Sequence, residues 1–222
     1  MICSLRILKQ CLNANGLFDF TTIISEGTKE KIRLDNEKSA ILPLGAEIMS
    51  TKNKSFDSLR LLYVGTLQDR DIDKTITGVS LFLKKFPNID IKYDIIGSGF
   101  NNEVNNFKEL AKELGVEDVV TLHGYKHHDE LQYFYDNSNI GVSFIPITEF
   151  YDHQPVTKSY EYILSGIYTI ATETFSNKQI INKENGCLIK DTPASFAEGL
   201  EHIINNLNTL DSDTIRNTLI ES

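Results

Sequence analysis

The chain has 222 residues and a mass of 25.1 kDa, enough for one large domain or one domain plus a fragment. Its 41% hydrophobic and 24% charged residues exclude intrinsically disordered, collagen-like and low-complexity proteins. Its formal net charge of −9 argues against a general nucleic-acid-binding protein, which needs a basic face to neutralise phosphates. A globular protein with a sizeable core and no nucleic-acid partner is therefore expected.

The N-terminal part of the chain contains too few predicted elements to form a core. These elements are a strand at residues 20–24, a short helix at 25–32 with Ser25 as its N-cap, and an extended piece at 40–44. A polar stretch at 51–58 is typical of a linker.

Residues 1–56 are therefore predicted to be the tail of another domain, or a short arm lying on the main one. The segment has apolar residues but too few elements to cover them, so residues 1–50 should pack poorly or pair with a neighbouring chain.

From residue 57 onward, short apolar runs alternate with amphipathic stretches. The runs predicted as strands are 60–64, 93–96, 119–122, 140–145, 168–172 and 187–189. The stretches predicted as helices are 74–85, 103–114, 130–136, 156–164 and 193–207. This alternation is typical of βαβ units, and it predicts an α/β fold with a doubly wound, mainly parallel sheet of about six strands. Such a sheet binds its ligand outside the carboxyl ends of its strands.

Three residues mark helix ends. Gly115 is placed to stop the helix at 103–114 in a left-handed conformation. Thr192 is the expected N-cap of the last predicted helix, with Pro193 in its first turn.

The Gly97-Ser98-Gly99 turn follows a predicted strand and precedes a helix, like the start of a dinucleotide-binding fingerprint. Asn102 occupies the position of the third glycine, and no carboxylate follows the next strand to bind a ribose. A tight strand-to-helix turn is the favoured interpretation, and an NAD-dependent oxidoreductase domain is the distant alternative.

No metal site is predicted. The acidic run at 69–73 lacks the glycine and the glutamate of a calcium-binding loop, and it suits the positive end of the following helix. His127, His128 and His153 have no partner at a metal-ligand spacing. We therefore expect neither a metal ion nor another cofactor.

Lys158 and Glu161 lie at the start of a predicted helix that follows Pro155. The free N–H groups of a helix start attract an anion, and Lys158 adds positive charge there. Glu161, one turn later, is placed to accept hydrogen bonds from a sugar diol. A solvated surface helix with a lysine–glutamate pair is the alternative.

Cys3, Cys11 and Cys187 are odd in number and widely separated, which fits a reducing compartment. No apolar run approaches the ~20 residues of a membrane span, and residues 1–9 carry charges within their apolar stretch, unlike a secretory signal. A cytoplasmic protein is predicted, and peripheral association with a membrane stays open.

Six segments follow one another in a recognisable order, namely residues 61–67, 95–99, 120–125, 156–162, 166–172 and 186–189. Taken in this order, they resemble the C-terminal domain of GT-B glycosyltransferases of family 4 (group 1). Residues 22–26 and 41–47 are similar to the end of that family's N-terminal domain and its interdomain segment. Three positions differ: Thr66 stands where many members have arginine, Arg70 where a lysine is usual, and His153 where a first glutamate is common.

The resemblance implies a Rossmann-like domain, one half of a GT-B fold, at 57–222, preceded by a remnant of the acceptor domain and a linker at 1–56. It implies metal-independent transfer of a sugar from a nucleotide-diphosphate sugar, with retention of configuration, to a glycan or lipid-linked acceptor. Roughly the first 150 residues of a usual member, with its acceptor site, are expected to be missing, so the catalytic residues stay unassigned.

The resemblance also implies a role for each candidate site residue. Those expected to bind the donor phosphates are Gly65, Thr66, Arg70 and Lys158. Glu161 is expected to bind the ribose. Those of the base-binding loop are Gly124, Tyr125 and Lys126. Those near the donor sugar are Gly97, Gly99, His153, Val156 and Thr157.

Two other classes of function stay open. In the first, the chain is a non-catalytic nucleotide-sugar-binding subunit that needs a separate acceptor-domain subunit. In the second, the chain is a degenerate remnant that serves as a scaffold. Bound nucleotide would distinguish the first from the second.

Overall fold

A computed structural model describes residues 19–34, 36–100 and 102–220. Cys3, Cys11 and the first 18 residues of the predicted arm lie outside these ranges. The described chain contains a two-stranded parallel sheet of β1 (Thr21–Ile23) and β2 (Ser39–Ile41), and a six-stranded sheet.

The six-stranded sheet is entirely parallel. Its strands are β3 (Leu59–Val64), β4 (Ile91–Ile96), β5 (Val120–Gly124), β6 (Ile140–Ser143), β7 (Tyr168–Thr172) and β8 (Gly186–Ile189). The order across the sheet is β5-β4-β3-β6-β7-β8, so the direction of winding reverses between β3 and β6. This confirms the predicted doubly wound fold and places the ligand-binding crevice at the carboxyl end of β3.

Helix α1 (Glu26–Ile32) lies in the arm, between β1 and β2 in the chain. Helices also cover both faces of the six-stranded sheet. The remaining helices are α2 (Ile72–Lys85), α3 (Glu103–Glu113), α4 (His128–Asn137), α5 (Thr157–Leu164), α6 (Phe175–Lys178), α7 (Pro193–Asn206) and α8 (Ser212–Ile220). Two 3-10 turns lie at Asn36–Lys38 and Leu207–Thr209. Helices α6 and α8 were not predicted, because α6 has a single turn and Ile215 is the one apolar side chain fully buried among those described for α8.

The predicted helix ends are confirmed. Ser25 accepts a hydrogen bond from the Thr28 amide (3.2 Å), and Thr192 accepts one from the Ser195 amide (3.2 Å). Gly115 adopts a left-handed conformation (φ 66°) immediately after α3 and its C-cap, Leu114.

The core has a layer on each face of the sheet. Alternate residues of β3 point to opposite faces, so Leu61 and Tyr63 pack in the larger layer with side chains of α2 and α7. Leu62 packs on the other face with Tyr135 and Tyr162. Both faces are therefore buried, which explains why these strands read as continuous apolar runs.

The described part of the predicted arm lies against the six-stranded domain. The hydroxyls of Ser25 and Thr28 donate hydrogen bonds to the His153 carbonyl (3.2 and 3.0 Å). Farther along, the Met49 and Ser50 amides both donate to the Ser165 hydroxyl. The arm nevertheless leaves large apolar side chains exposed, namely Phe20, Leu42, Leu44 and Ile48.

No helix within the described ranges combines the length and the apolar character that crossing a bilayer requires.

Candidate functional site

Two adjoining cavities open at the carboxyl end of β3. The first has a volume of about 290 Å³ and the second about 260 Å³. Both are lined by Val64, Gly65 and Thr66, so the end of β3 forms the ridge between them. This is the position at which the reversal of winding predicts a ligand site.

The first cavity brings together the charged residues predicted to bind the phosphates and the ribose. Arg70, Lys158 and Glu161 all line it, with Val156 and Thr157 at the start of α5. Val156 is the N-cap of α5 and its side chain makes no capping hydrogen bond. The first-turn N–H groups of a helix have no intrahelical partner, so this helix end adds positive potential to that of Arg70.

Lys158 is buried beside an aromatic ring. The residue is only 9% exposed, and Nζ lies 3.8 Å from the centre of the Tyr63 ring. Burial, and secondarily the charge of Arg70, hold the pKa of the Lys158 ammonium well below its ordinary value, whereas Glu161 acts in the opposite direction. The cavity therefore contains a buried amine that an incoming anion would stabilise in its charged form.

Two tyrosines line this cavity. The guanidinium of Arg70 lies 4.4 Å from the centre of the Tyr151 ring, a cation–π contact that orients it. The Tyr63 hydroxyl donates a hydrogen bond to the Thr66 carbonyl (2.6 Å) and so holds the loop after β3.

Glu161 is half-buried and has one partner from a neighbouring helix. The Tyr135 hydroxyl donates a hydrogen bond to Glu161 Oε2 (3.1 Å). Burial raises the pKa of the Glu161 carboxyl, although the Tyr135 hydrogen bond opposes this shift. The other carboxylate oxygen accepts no hydrogen bond from the described residues and is available to a ligand.

The second cavity lies between the ends of β3, β4 and β5. Gly97, Ser98, Tyr125, Lys126 and Leu131 line it. It is less polar than the first cavity, as a site for an aromatic ring requires. Tyr125 is 66% exposed, so its ring is free to pack on a ligand.

Glycines allow the strand ends to approach each other at this point. A Cβ on Gly97 would lie 1.8 Å from the Gly65 carbonyl oxygen, so any side chain at Gly97 would collide with the backbone. The Gly65 amide donates to the Ile96 carbonyl, and the Gly97 amide donates to the Gly124 carbonyl (3.0 and 2.9 Å). The predicted Gly97-Ser98-Gly99 turn is thus a close packing of three strand ends.

Three predicted residues do not line either cavity. Gly124 contributes its carbonyl to the Gly97 amide, and Gly99 lies against Glu103 and the Gln68 amide. His153 packs its ring on Phe175, with ring centres 4.5 Å apart, and lies against Gly27 of α1.

Several lining residues were missed by sequence reasoning. They are Tyr63, Tyr151, Gln154, Pro155, Ile145 and Leu131. Tyr63 is part of an apolar strand run, and nothing in that run distinguishes it from a core residue. Tyr151 lies in a loop whose path depends on tertiary contacts. The position of Gln154 and Pro155 just before α5 was the available signal.

Within the described ranges, no three His, Cys, Asp or Glu side chains come close enough to hold a metal ion.

The chain is similar in fold to several solved structures. A mutant of S. aureus TarM in complex with fondaparinux, alpha-GlcNAc-glycerol and UDP shares 17% identity over 96% of this chain and 43% of its own, with a TM-score of 0.78. Anabaena Alr3699/HepE in complex with UDP and glucose shares 14% identity over 95% of this chain and 60% of its own, with a TM-score of 0.74. The pneumococcal O-GlcNAc transferase GtfA, in complex with UDP and GlcNAc, shares 18% identity over 95% of this chain and 43% of its own, with a TM-score of 0.70.

The chain thus spans 43% to 60% of the length of these three proteins. At such identities the likeness shows the fold, the Rossmann-like half of GT-B enzymes. No curated protein has a sequence that matches this one significantly. The model of the family described as "Glycosyl transferases group 1" matches residues 46–218, well over half of the sequence. The chain therefore belongs to the group 1 glycosyltransferases.

Proposed function

We propose that this chain is the donor-binding half of a retaining, family 4 glycosyltransferase and binds a nucleotide-diphosphate sugar. The observation that carries the proposal is the pair of adjoining cavities at the end of β3. One contains the cationic side chains and a helix N-terminus that a diphosphate requires, and the other is a less polar cavity suited to a base.

The diphosphate would lie in the first cavity. Gly65 and Thr66 offer backbone groups, and Arg70, Lys158 and the first turn of α5 supply positive charge. Breaking the glycosidic bond transfers negative charge to the leaving diphosphate, and fixed cationic groups stabilise that charge without a metal ion.

The nucleoside would extend toward the second cavity. Glu161 would accept hydrogen bonds from the ribose diol with the oxygen that Tyr135 leaves free. The loop Gly124, Tyr125 and Lys126 would hold the base, with the Tyr125 ring packed nearby.

The donor sugar would lie near the strand ends and the start of α5, beside Gly97, Gly99, His153, Val156 and Thr157. Of these, Gly97, Val156 and Thr157 border the cavities. His153 lines neither cavity and packs its ring on Phe175, so its role would be indirect.

The proposed division of the chain places the donor-binding domain at 57–222, and the end of an acceptor-binding domain with its linker at 1–56. The acceptor would be a glycan or a lipid-linked sugar. Widely separated cysteines favour the cytoplasm, where the protein would act in solution or at a membrane surface.

A second candidate is a non-catalytic nucleotide-sugar-binding subunit that works with a separate acceptor domain. His153 favours it, because this residue replaces a glutamate of the family's pattern and its ring is occupied by Phe175 and α1.

Calorimetric titration with UDP, GDP and ADP tests the proposal. We expect weak binding of at least one nucleotide, with an affinity that EDTA does not change. Absence of binding at millimolar concentration of all three would contradict the donor-binding function and favour a scaffold. Loss of affinity with EDTA would contradict metal independence alone.

A further inference from the structure

The buried lysine of the first cavity has no anionic partner of its own. No hydrogen bond or ion pair holds Lys158 Nζ among the described residues, and its contact is the face of the Tyr63 ring. A buried lysine is ordinarily paired, because an unpaired ammonium loses its hydration. These surroundings therefore disfavour the charged form of Lys158 relative to that of a lysine in water.

The charged and ionisable groups near Lys158 come from four segments of the chain. Arg70, in the loop after β3, disfavours a second positive charge, whereas Glu161 on α5 favours it. From β3, the Tyr63 ring face favours the ammonium. The loop before α5 contributes Tyr151, whose ring contacts the Arg70 guanidinium, and His153, whose ring lies against Phe175 and Gly27 of α1. Burial outweighs Glu161 and holds the Lys158 pKa well below its ordinary value.

We propose that donor binding is coupled to proton uptake, with Lys158 entering as a neutral amine and becoming an ammonium when the diphosphate occupies the cavity. This inference rests on the proposed function. The diphosphate of a nucleotide sugar brings negative charge beside Arg70 and Lys158. That charge replaces the missing counter-ion, so the amine takes a proton from solvent and no other bond changes.

The proposal has a direct thermodynamic consequence. Between the Lys158 pKa of the empty site and that of the occupied site, binding takes up about one proton. The affinity then falls up to about tenfold for each pH unit of increase in that window, and it is independent of pH below the window.

The experiment is calorimetric titration with UDP-glucose, GDP-glucose and ADP-glucose at about pH 7.5, 8.5 and 9.5, at each pH in buffers of different ionisation enthalpy. A nucleotide sugar is chosen because the terminal phosphate of a free nucleoside diphosphate itself titrates near neutral pH. The dependence of the observed enthalpy on the buffer's ionisation enthalpy gives the number of protons taken up. For the wild-type chain we expect net uptake at one or more of these pH values, reaching at most about one proton.

Four variants identify the group. Lys158→Met should abolish uptake, and the exposed Lys112→Met is the matched control that should leave it unchanged. Glu161→Gln and His153→Gln test the two other ionisable side chains of these segments, and uptake should persist in both wherever binding is measurable. The wild-type measurement is decisive even if a variant fails to fold.

The outcomes separate this inference from the function on which it rests. Binding without proton uptake at all three pH values overturns the inference and leaves the donor-binding function standing. Uptake that survives in Lys158→Met, or that disappears in His153→Gln while binding persists, also overturns it. Absence of binding by all three nucleotide sugars overturns both.

Discussion

At the scale of single residues, the candidate site depends on charges whose surroundings differ. Arg70 lies at the cavity entrance, where Tyr151 orients its guanidinium, whereas Lys158 is buried beside Tyr63. Glu161 has one oxygen committed to Tyr135. These differences lead to separate expectations for the phosphate and ribose contacts.

The first expectation concerns Arg70. Loss of a hydrogen bond to a charged group costs about 1.5–3 kcal/mol, so Arg70→Ala should weaken nucleoside diphosphate binding roughly 10- to 150-fold. Arg60→Ala is the matched control, because Arg60 pairs with Asp90 at the opposite end of β3. Calorimetry on both variants measures the effect, and equal losses would contradict a direct phosphate contact.

The second expectation concerns the ribose. Glu161→Ala should reduce the affinity for a ribonucleotide more than for its 2′,3′-dideoxy analogue, because only the ribonucleotide offers a diol. Tyr135→Phe removes the hydroxyl that orients Glu161 and should cause a smaller loss of the same selectivity. If the two nucleotides lose affinity equally in Glu161→Ala, the carboxylate does not bind the ribose.

At the scale of elements, the site depends on the hydrogen bonds that hold the strand ends and the linker in place. The ends of β3, β4 and β5 are joined by backbone hydrogen bonds around Gly65 and Gly97. The linker before β3 is held from the other side, where Lys54 Nζ donates to the Tyr135 carbonyl (2.6 Å) and the Ser50 hydroxyl (2.9 Å). Arg216 of α8 donates to the Lys52 carbonyl (2.6 Å).

The third expectation compares two glycines with positive φ. Gly97→Ala places a methyl group 1.8 Å from a backbone oxygen, which only displacement of a strand end relieves, so we expect a loss of at least about 3 kcal/mol in unfolding free energy. Gly115 (φ 66°) has no atom within 4 Å of an added Cβ, so Gly115→Ala should cost only the backbone strain of about 1–2 kcal/mol. Urea unfolding measures both, and similar losses would contradict the close approach of Gly97 and Gly65.

The fourth expectation is a pH dependence of stability. Burial lowers the pKa of Lys54 from 10.5 to about 8, with Asp136 opposing and Arg216 and Lys52 adding to the shift. The folded chain therefore binds this proton more weakly than the unfolded chain, and the cost of burying the ammonium is relieved as the pH rises from about 8 towards 10.5. Because the Lys54 side chain is partly exposed, we expect the free energy of unfolding of wild type to rise by only about 1–2 kcal/mol relative to that of Lys54→Met across that range.

Urea unfolding at about pH 7, 8.5 and 10 measures this difference. The exposed Lys84→Met is the control, and its stability should stay parallel to that of wild type. A difference between wild type and Lys54→Met that stays constant with pH would exclude Lys54 as the titrating group.

At the scale of the whole molecule, the six-stranded domain is complete in its two core layers, whereas the described part of the arm is not. Sheet β1–β2 has only two strands, and two-stranded sheets are marginal without further cover. Phe20, Leu42 and Ile48 are each more than half exposed on this segment. An arm of this kind favours association with another chain or domain.

The fifth expectation follows from that exposure. The purified chain should self-associate in light scattering, and its arm should be cleaved first in limited proteolysis. Leu42→Ser combined with Ile48→Ser should reduce association, whereas Leu81→Ser on α2 should not. A protease-resistant monomer with an intact N-terminus would count against this interpretation.

The sequence by itself determined the fold class, three helix ends and the placement of site segments after strands. Apolar runs alternating with amphipathic stretches have one stable arrangement, a parallel sheet covered on both faces, and Ser25, Thr192 and Gly115 act through local backbone geometry. Arg70, Lys158 and Glu161 could be placed at one cavity because parallel strands all end at the same edge of the sheet.

Only the tertiary structure decided which residues meet at that edge and in what state. Tyr63 became a cavity residue because the β3 end is next to α5, and His153 turned away because Phe175 and α1 occupy its ring. Local sequence left open whether Lys158 was a surface lysine. The structure buries it, and burial lowers the pKa of its ammonium. Such properties depend on contacts between residues distant in the chain, which local spacing does not encode.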